Sequence, residues 1–159
     1  MIAWAMLSTE TIARLNQLCD DSHYVFSEGG VVYWFHDSAR QAQSMISFAP
    51  ARLRDLVYNA DATNAMLKAE LDGRTAVLKD ADLDAFSRFL FLARGDTVAF
   101  EEAREEARDL MRRLHEDLRF DAVWWETELD DGWSFDAVLY MMRRSDNRYF
   151  ALELNWSID

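Results

Sequence analysis

The chain has 159 residues, of which half are hydrophobic, with five glycines, one proline and one cysteine. This composition argues against disorder and suits a single domain, 1–159, with a substantial core. One cysteine excludes an intrachain disulfide, and no apolar run approaches the roughly 20 residues of a membrane span. We therefore expect a cytoplasmic protein with no membrane partner.

Acidic residues outnumber basic residues by 29 to 17, which gives a net charge of −12. The excess is largest in residues 121–159, which hold nine acidic and three basic residues. Such a charge repels phosphate backbones and attracts basic proteins. It also aids solubility, so the charge alone does not locate a binding site. We expect no direct binding of nucleic acid.

The first third of the chain predicts one helix and three strands. Glu28-Gly29-Gly30 is a hairpin signal, because glycine accepts the positive φ of tight turns. Residues 44–49 fit both a strand and a helix, and the position before Pro50 favours the strand. The predicted elements are a helix from Ser8–Thr11 to about Asp21, with Ile12, Leu15, Leu18 and Cys19 as its apolar stripe, and strands His23–Ser27, Val31–Asp37 and Ser44–Ala49.

The middle of the chain predicts helices with clear start and stop signals. Proline suits the first turn of a helix, aspartate its N-cap, and glycine its C-terminus. The longest helix has a continuous apolar stripe, with glutamates in its first half and arginines in its second. The predicted elements are helices Pro50–Asn59, Asp61–Gly73, Asp80–Ala93 and Asp96 or Thr97 to Leu118, with a short strand or bridge at Thr75–Leu78.

The last third predicts three antiparallel strands joined by short turns: Ala122–Asp130, Trp133–Arg143 and Arg148–Trp156. Their alternation separates an apolar side from a side that mixes carboxylates with aromatic residues. We expect the mixed side to be half covered and half open. The apolar side comprises Val123, Trp125, Leu129, Phe135, Ala137, Leu139, Met141, Phe150, Leu152, Leu154 and Trp156.

The pattern as a whole predicts an α+β fold with a mostly antiparallel sheet. The sheet contains a C-terminal three-stranded meander and an N-terminal hairpin or meander, and the middle of the chain is helical. Residues 9–49 and 97–156 both read as one helix and three strands. A duplicated α-β-β-β unit, with helices 50–94 inserted between the copies, is therefore a hypothesis.

The common catalytic signatures are absent from the sequence. It has no phosphate-binding glycine loop, no nucleophile elbow and no paired-cysteine or His-Glu-x-x-His zinc motif. A Cys-His-Asp site near the N-terminal hairpin is disfavoured, since a lone cysteine in a helical apolar stripe usually belongs to the core. Its members would be Cys19, Asp20, Asp21, His23, His36 and Asp37. His115 near a helix C-terminus complements the helix dipole. We expect no enzyme activity, no cofactor and no metal.

The mixed side of the C-terminal strands is the candidate site. Its carboxylates suit attraction and pairing with a basic protein, and its aromatic residues suit buried contacts. A divalent ion held by the carboxylates is the enzymatic alternative, in a metal-dependent hydrolase. The candidate partner-binding residues are Trp124, Glu126, Glu128, Asp136, Tyr140, Tyr149 and Glu153.

These features lead to a functional expectation from the sequence. The protein is predicted to be a small acidic inhibitor that neutralises a basic nuclease or nucleic-acid-handling complex, of the immunity or phage anti-defence type. Partial DNA mimicry is one way for its carboxylates to act. The alternatives are the metal-dependent hydrolase and an acidic secretion-type chaperone.

Overall fold

A computed structural model describes residues 7–22, 30–37, 69–95 and 97–158. The predicted strands His23–Ser27 and Ser44–Ala49, the predicted helix Pro50–Asn59 and residues 61–68 of the next helix lie outside the described residues. Residues 69–71 are the described end of that helix. The described elements are helices α1 (Thr9–Ser22), α2 (Asp80–Ala93) and α3 (Phe100–Leu118), and strands β1 (Gly30–Asp37), β2 (Ala122–Asp130), β3 (Ser134–Arg143) and β4 (Arg148–Ser157).

The described strands form one antiparallel sheet in the order β1-β4-β3-β2. This confirms the predicted α+β class and the C-terminal meander. The whole of β1 pairs with β4, from Gly30 opposite Ser157 to Asp37 opposite Phe150, and so joins the meander. The N-terminal strand therefore belongs to the same sheet as the C-terminal strands, with β4 between β1 and β3.

Two turns determine how the meander folds. The carboxylate of Asp131 accepts hydrogen bonds from the backbone N–H groups of Trp133 and Ser134, at 2.9 and 2.8 Å. Gly132 supplies the positive φ, 84°, that this turn needs. Between β3 and β4, a single 3₁₀ turn ends at Asn147, which adopts the left-handed conformation that asparagine tolerates better than most residues. These local interactions make the strands antiparallel neighbours.

The three helices cover one face of the sheet. Phe86 of α2 stacks on Trp125 of β2 with ring centroids 4.8 Å apart, and Phe89 meets Phe135 edge to face at 5.4 Å. Helix α3 contributes the predicted stripe, of which Phe100 alone is exposed. The buried residues of the stripe are Ala103, Ala107, Leu110, Leu114 and Leu118. Through this core the helices pack against one face of the sheet, and the other face is left for other contacts.

Several predicted details are wrong. Helix α2 begins at Asp80, so Lys79 occupies the N-cap position and Asp80 lies in the first turn. Helix α3 begins at Phe100 rather than at residue 96 or 97. Residues 75–78 form no strand, although the carbonyl of Thr75 accepts a hydrogen bond from Val123 N–H at 2.9 Å. Start signals are spread over several residues, so tertiary contacts decide where each element begins.

Leu129 does not lie on the helix-covered side as predicted. The pairing of β2 with β3 shifts by one residue between Thr127 and Leu129, so Leu129 pairs with Asp136 instead of extending the alternation. A one-residue bulge moves each later side chain to the other face. Leu129 is consequently 42% exposed, and Asp130 reaches Arg88 of α2 at 2.8 Å.

A buried ion pair fastens β1 to β4. The Arg148 guanidinium donates to both carboxylate oxygens of Asp37, at 3.0 and 2.5 Å, and both side chains are at least nine-tenths buried. The same guanidinium lies 5.7 Å from the ring centroid of Phe150. Two charges this far from water are tolerated because the paired geometry is bidentate.

We predict that Asp37→Ala destabilises the protein by about 3–5 kcal/mol, because it leaves a buried guanidinium without this carboxylate. Urea unfolding measures the loss. Asp130→Ala, which breaks the exposed pair with Arg88, is the matched control and should cost less than about 1 kcal/mol. Equal losses for the two variants would contradict this role of the Asp37–Arg148 pair.

Candidate functional site

The face of the sheet opposite the helices carries all seven predicted site residues, and we call it the second face. Register places the residues of β1 on this face beside those of β4, those of β4 beside those of β3, and those of β3 beside those of β2. Besides the seven predicted residues, it carries Val32, Trp34, His36, Ala122, Leu129, Val138, Met142, Ala151 and Asn155. The predicted residues thus share one surface, but they differ greatly in exposure.

One end of the second face is a small buried core. Tyr140 and Tyr149 are only 1% and 4% exposed, and they cluster with Leu71 and Met142. Trp124 stacks on Tyr140 with ring centroids 5.1 Å apart. The aromatic residues predicted to contact a partner therefore pack within the protein at this end.

The segment that follows residue 71 is held against this end by arginines. The Arg144 guanidinium donates to the carbonyl of Leu71 at 3.2 Å and to the carboxylate of Asp121 at 2.9 Å. Arg74 lies over the ring of Trp124, 5.9 Å from its centroid, and pairs with Asp82 of α2. These contacts explain why the second face is half covered.

Glu153 lies at the centre of the second face and is buried. It pairs with Trp34 of β1 and Val138 of β3, and only 3% of its surface is exposed. Burial, and then the nearby carboxylates of Asp136 and Glu128, raise the pKa of Glu153 from 4.5 to about 8. Glu153 therefore carries a proton at neutral pH and does not add to the negative charge of the surface.

The structure also brings His36 of β1 close to Glu153, a contact that the sequence did not predict. Its Nε2 lies 4.0 Å from Oε2 of Glu153, and among the described residues neither atom has a hydrogen-bond partner. Burial lowers the pKa of His36, so the imidazole is neutral at pH 7. A neutral imidazole beside a neutral carboxyl group is the arrangement that avoids two buried charges.

The other carboxylates of the second face lie towards the β2–β3 turn. Asp136 accepts a hydrogen bond from the Asn155 amide and is partly exposed, as is Glu126. Glu128, the extra residue of the bulge, is exposed. Of the seven predicted residues, the accessible ones are thus Glu128 and, in part, Trp124, Glu126 and Asp136.

The structure does not assemble the disfavoured site of Cys19 with His36. Cys19 packs against the helix-covered core, while His36 lies on the second face. Burial and the neighbouring Asp20 raise the pKa of the Cys19 thiol from 9.0 to about 11, which disfavours the reactive thiolate. His23 lies outside the described residues, and His115 meets Phe120 edge to face at 5.0 Å.

Within residues 7–22, 30–37, 69–95 and 97–158, no group of three or more His, Cys, Asp or Glu side chains is placed to hold a metal ion. No helix in the same part of the chain is long and apolar enough to cross a membrane.

Comparison with known proteins gives no relative. The chain matches no protein-family model, no curated protein and no solved structure.

We predict that Glu153→Gln removes a pH-dependent loss of stability. The folded protein holds the Glu153 proton up to about pH 8, whereas the unfolded chain loses it near pH 4.5, so wild-type stability falls as the pH rises between these values. Relative to the wild type, Glu153→Gln should gain about 4–5 kcal/mol between pH 4 and pH 9.

Urea unfolding at several pH values measures this gain. Glu101→Gln, at an exposed position of α3, is the matched control and should follow the wild-type pH profile. A stability difference between Glu153→Gln and the wild type that stays constant with pH would contradict the buried neutral carboxyl group.

Proposed function

We propose that this protein binds a basic protein partner through the β2–β3 hairpin and thereby inhibits it. The observation that carries the proposal is the combination of charge and exposed apolar side chains in residues 126–136, which we call the acidic hairpin. These residues include five acids and no lysine or arginine. They also include Trp133, the most exposed tryptophan among the described residues, at 66%.

Two carboxylates at the turn of the acidic hairpin remain charged at neutral pH. Hydrogen bonds from the backbone N–H groups of Trp133 and Ser134 lower the pKa of Asp131. The hydrogen bond from Arg88 lowers the pKa of Asp130. Arg88 pairs with Asp130, and the acidic hairpin itself, with five acids and no lysine or arginine, is negatively charged in sequence.

The exposed apolar side chains of the acidic hairpin supply surface that a partner can bury, which the charges alone do not. Interfaces depend on a few large side chains, tryptophan above all, that become buried in the complex, and charged groups around them steer the encounter. Trp133 and Leu129 are 66% and 42% exposed and lie within the same eleven residues as the five acids. The acidic hairpin therefore has the composition of an interface centre with a charged rim.

Inhibition follows if the partner handles nucleic acid. A basic surface that binds phosphates binds carboxylates by the same electrostatics, and a protein seated there excludes the nucleic acid. A nuclease or a nucleic-acid-handling defence complex is the class of target that this charge suits, in an immunity or phage anti-defence role. Partial DNA mimicry describes the same competition.

The seven predicted residues differ in whether a partner can reach them. Glu126, Glu128 and Asp136 belong to the acidic hairpin, whereas Tyr140, Tyr149 and Glu153 are buried. We assign the contacts with the partner to the accessible carboxylates and to Trp133 and Leu129. For the metal-dependent hydrolase and the secretion-type chaperone, no observation on the described residues adds to the sequence argument.

We predict that neutralising two exposed hairpin acids weakens partner binding. The double variant Glu128→Gln/Asp131→Asn removes two charges, and asparagine keeps the side-chain oxygen that accepts the turn hydrogen bonds. The partner is captured from host lysate, identified and purified, and its dissociation constant is measured by calorimetry. At low salt the constant should rise about tenfold, mainly through a slower on-rate.

The matched control is Glu101→Gln/Glu105→Gln on α3, which removes the same charge at side chains that are 76% and 70% exposed. Its affinity should remain within about twofold of wild type, since the net charge alone is not the site. Equal weakening by both double variants would contradict binding through the acidic hairpin.

We predict that Trp133→Ala weakens binding of the same partner by at least about tenfold, at low and at moderate salt alike. Truncating a buried interface tryptophan commonly costs more than 1 kcal/mol, and this contribution is not screened by ions. Val77→Ala, at a side chain that is 75% exposed outside the hairpin, is the control. Unchanged affinity for Trp133→Ala would remove Trp133 from the interface.

A further inference from the structure

Asp130 of the acidic hairpin holds a guanidinium group of the protein's own. The Arg88 side chain of α2 donates from Nε to Oδ2 of Asp130 at 2.8 Å and from Nη2 to Oδ1 at 3.3 Å. This two-point contact fits the planar fork of a guanidinium, whereas the ammonium group of lysine binds as a single point charge. The pair therefore shows the geometry with which this carboxylate binds an arginine.

The Arg88–Asp130 pair lies at the surface, where water competes for both charges. The Arg88 and Asp130 side chains are 48% and 24% exposed. Exposed pairs contribute little to stability, so the guanidinium can leave Asp130 at small cost. The Asp37–Arg148 pair is the opposite case, because both of its side chains are at least nine-tenths buried.

Asp130 also lies among the side chains that a partner of the acidic hairpin buries under the proposed function. It follows Leu129, which is 42% exposed, and Trp133, which is 66% exposed, comes three residues later. An arginine that the partner brings to this place loses water and needs an acid. Arg88 keeps access to water when it leaves Asp130, so the exchange favours the arginine of the partner.

We infer that an arginine of the partner takes the place of Arg88 on Asp130, so that Arg88 is an internal competitor of the partner. The partner accordingly presents arginine rather than lysine at this point of its surface. Competition lowers the apparent affinity, because only the molecules in which Asp130 is open can form the contact. The inference rests on the proposed function and names one side chain that the partner supplies.

Removing the competitor should tighten binding. The probes are two synthetic peptides, one with three arginines alternating with glycine and one with lysines in their place, titrated at moderate salt. Arg88→Gln should raise the affinity for the arginine peptide about two- to fivefold, as expected for the loss of one exposed pair. Arg112→Gln on α3 removes the same charge at a side chain that is 57% exposed, and this matched control should change the affinity less than about 1.5-fold.

Asp130→Asn separates competition from the effect of charge. Asparagine cannot form the charged pair, so in this background Arg88→Gln should no longer raise the affinity. An effect of charge alone would persist in both backgrounds. Arg88→Gln should also prefer the arginine peptide to the lysine peptide, and Asp130→Asn should reduce this preference. Thermal unfolding confirms that the variants fold.

The Arg88 side chain reports its own displacement in the wild type. Its Nε–H resonance is followed by NMR while the arginine peptide is added. The Asp130→Asn variant gives the position of this resonance when the carboxylate is absent. We expect the wild-type resonance to move towards that position as the peptide binds, together with shifts of the backbone amides of the acidic hairpin.

Three results would overturn the inference. The first is binding of the arginine peptide by Arg88→Gln that is absent, or no tighter than that of the wild type. The second is an equal gain from Arg88→Gln in the wild-type and Asp130→Asn backgrounds. The third is an Arg88 Nε–H resonance that stays in place while the hairpin amides shift. The proposed function fails separately, if neutralising Glu128 and Asp131 leaves the affinity for the purified partner unchanged.

Discussion

Strand β4 is hydrogen-bonded to a strand on each side and is buried along most of its length on both faces. Most other features of the described fold follow from this position. A polar group on such a strand must find a partner or lose its charge, because ions are costly away from water. Arg148 finds its partner in Asp37, and Glu153 loses its charge because its pKa is raised.

The same constraint determines where negative charge is available for binding. Carboxylates at the centre of the second face are buried or hydrogen-bonded, so the accessible ones lie where β2 and β3 leave the body of the sheet. The bulge at Glu128 reinforces this, since it exposes Leu129 beside the acids of the turn. The acidic hairpin is therefore a consequence of how the sheet ends, and its exposed Trp133 has no such structural explanation within the described contacts.

Local signals in the sequence predicted the local structure well. The meander followed from turn residues such as Gly132 and Asn147, and α2 and α3 followed from their apolar stripes. The pairing of β1 with β4 was not predictable in this way. The two strands are more than a hundred residues apart in sequence, and a local pattern does not show which strand pairs with which. The contact between His36 and Glu153 depends on that pairing, so it was missed with it.

Burial and register account for the remaining differences. Alternation placed Leu129 in the core, and a bulge, which alternation does not reveal, moved it to the surface. Tyr140 and Tyr149 were predicted as contacts for a partner, and they pack instead against Leu71 from a distant part of the chain. The negative charge of the protein could be predicted from the sequence without knowing register or burial. The hypothesis that this acidic protein binds a basic partner therefore depends on that charge.

Hydrogen–deuterium exchange of the protein, free and bound to its purified basic partner, tests the central claim most directly. It reports backbone protection along the whole chain without any substitution. We predict that binding slows exchange in residues 126–136, the acidic hairpin. Protection confined to other segments, such as the exposed side of α3, with residues 126–136 unchanged, would contradict the account.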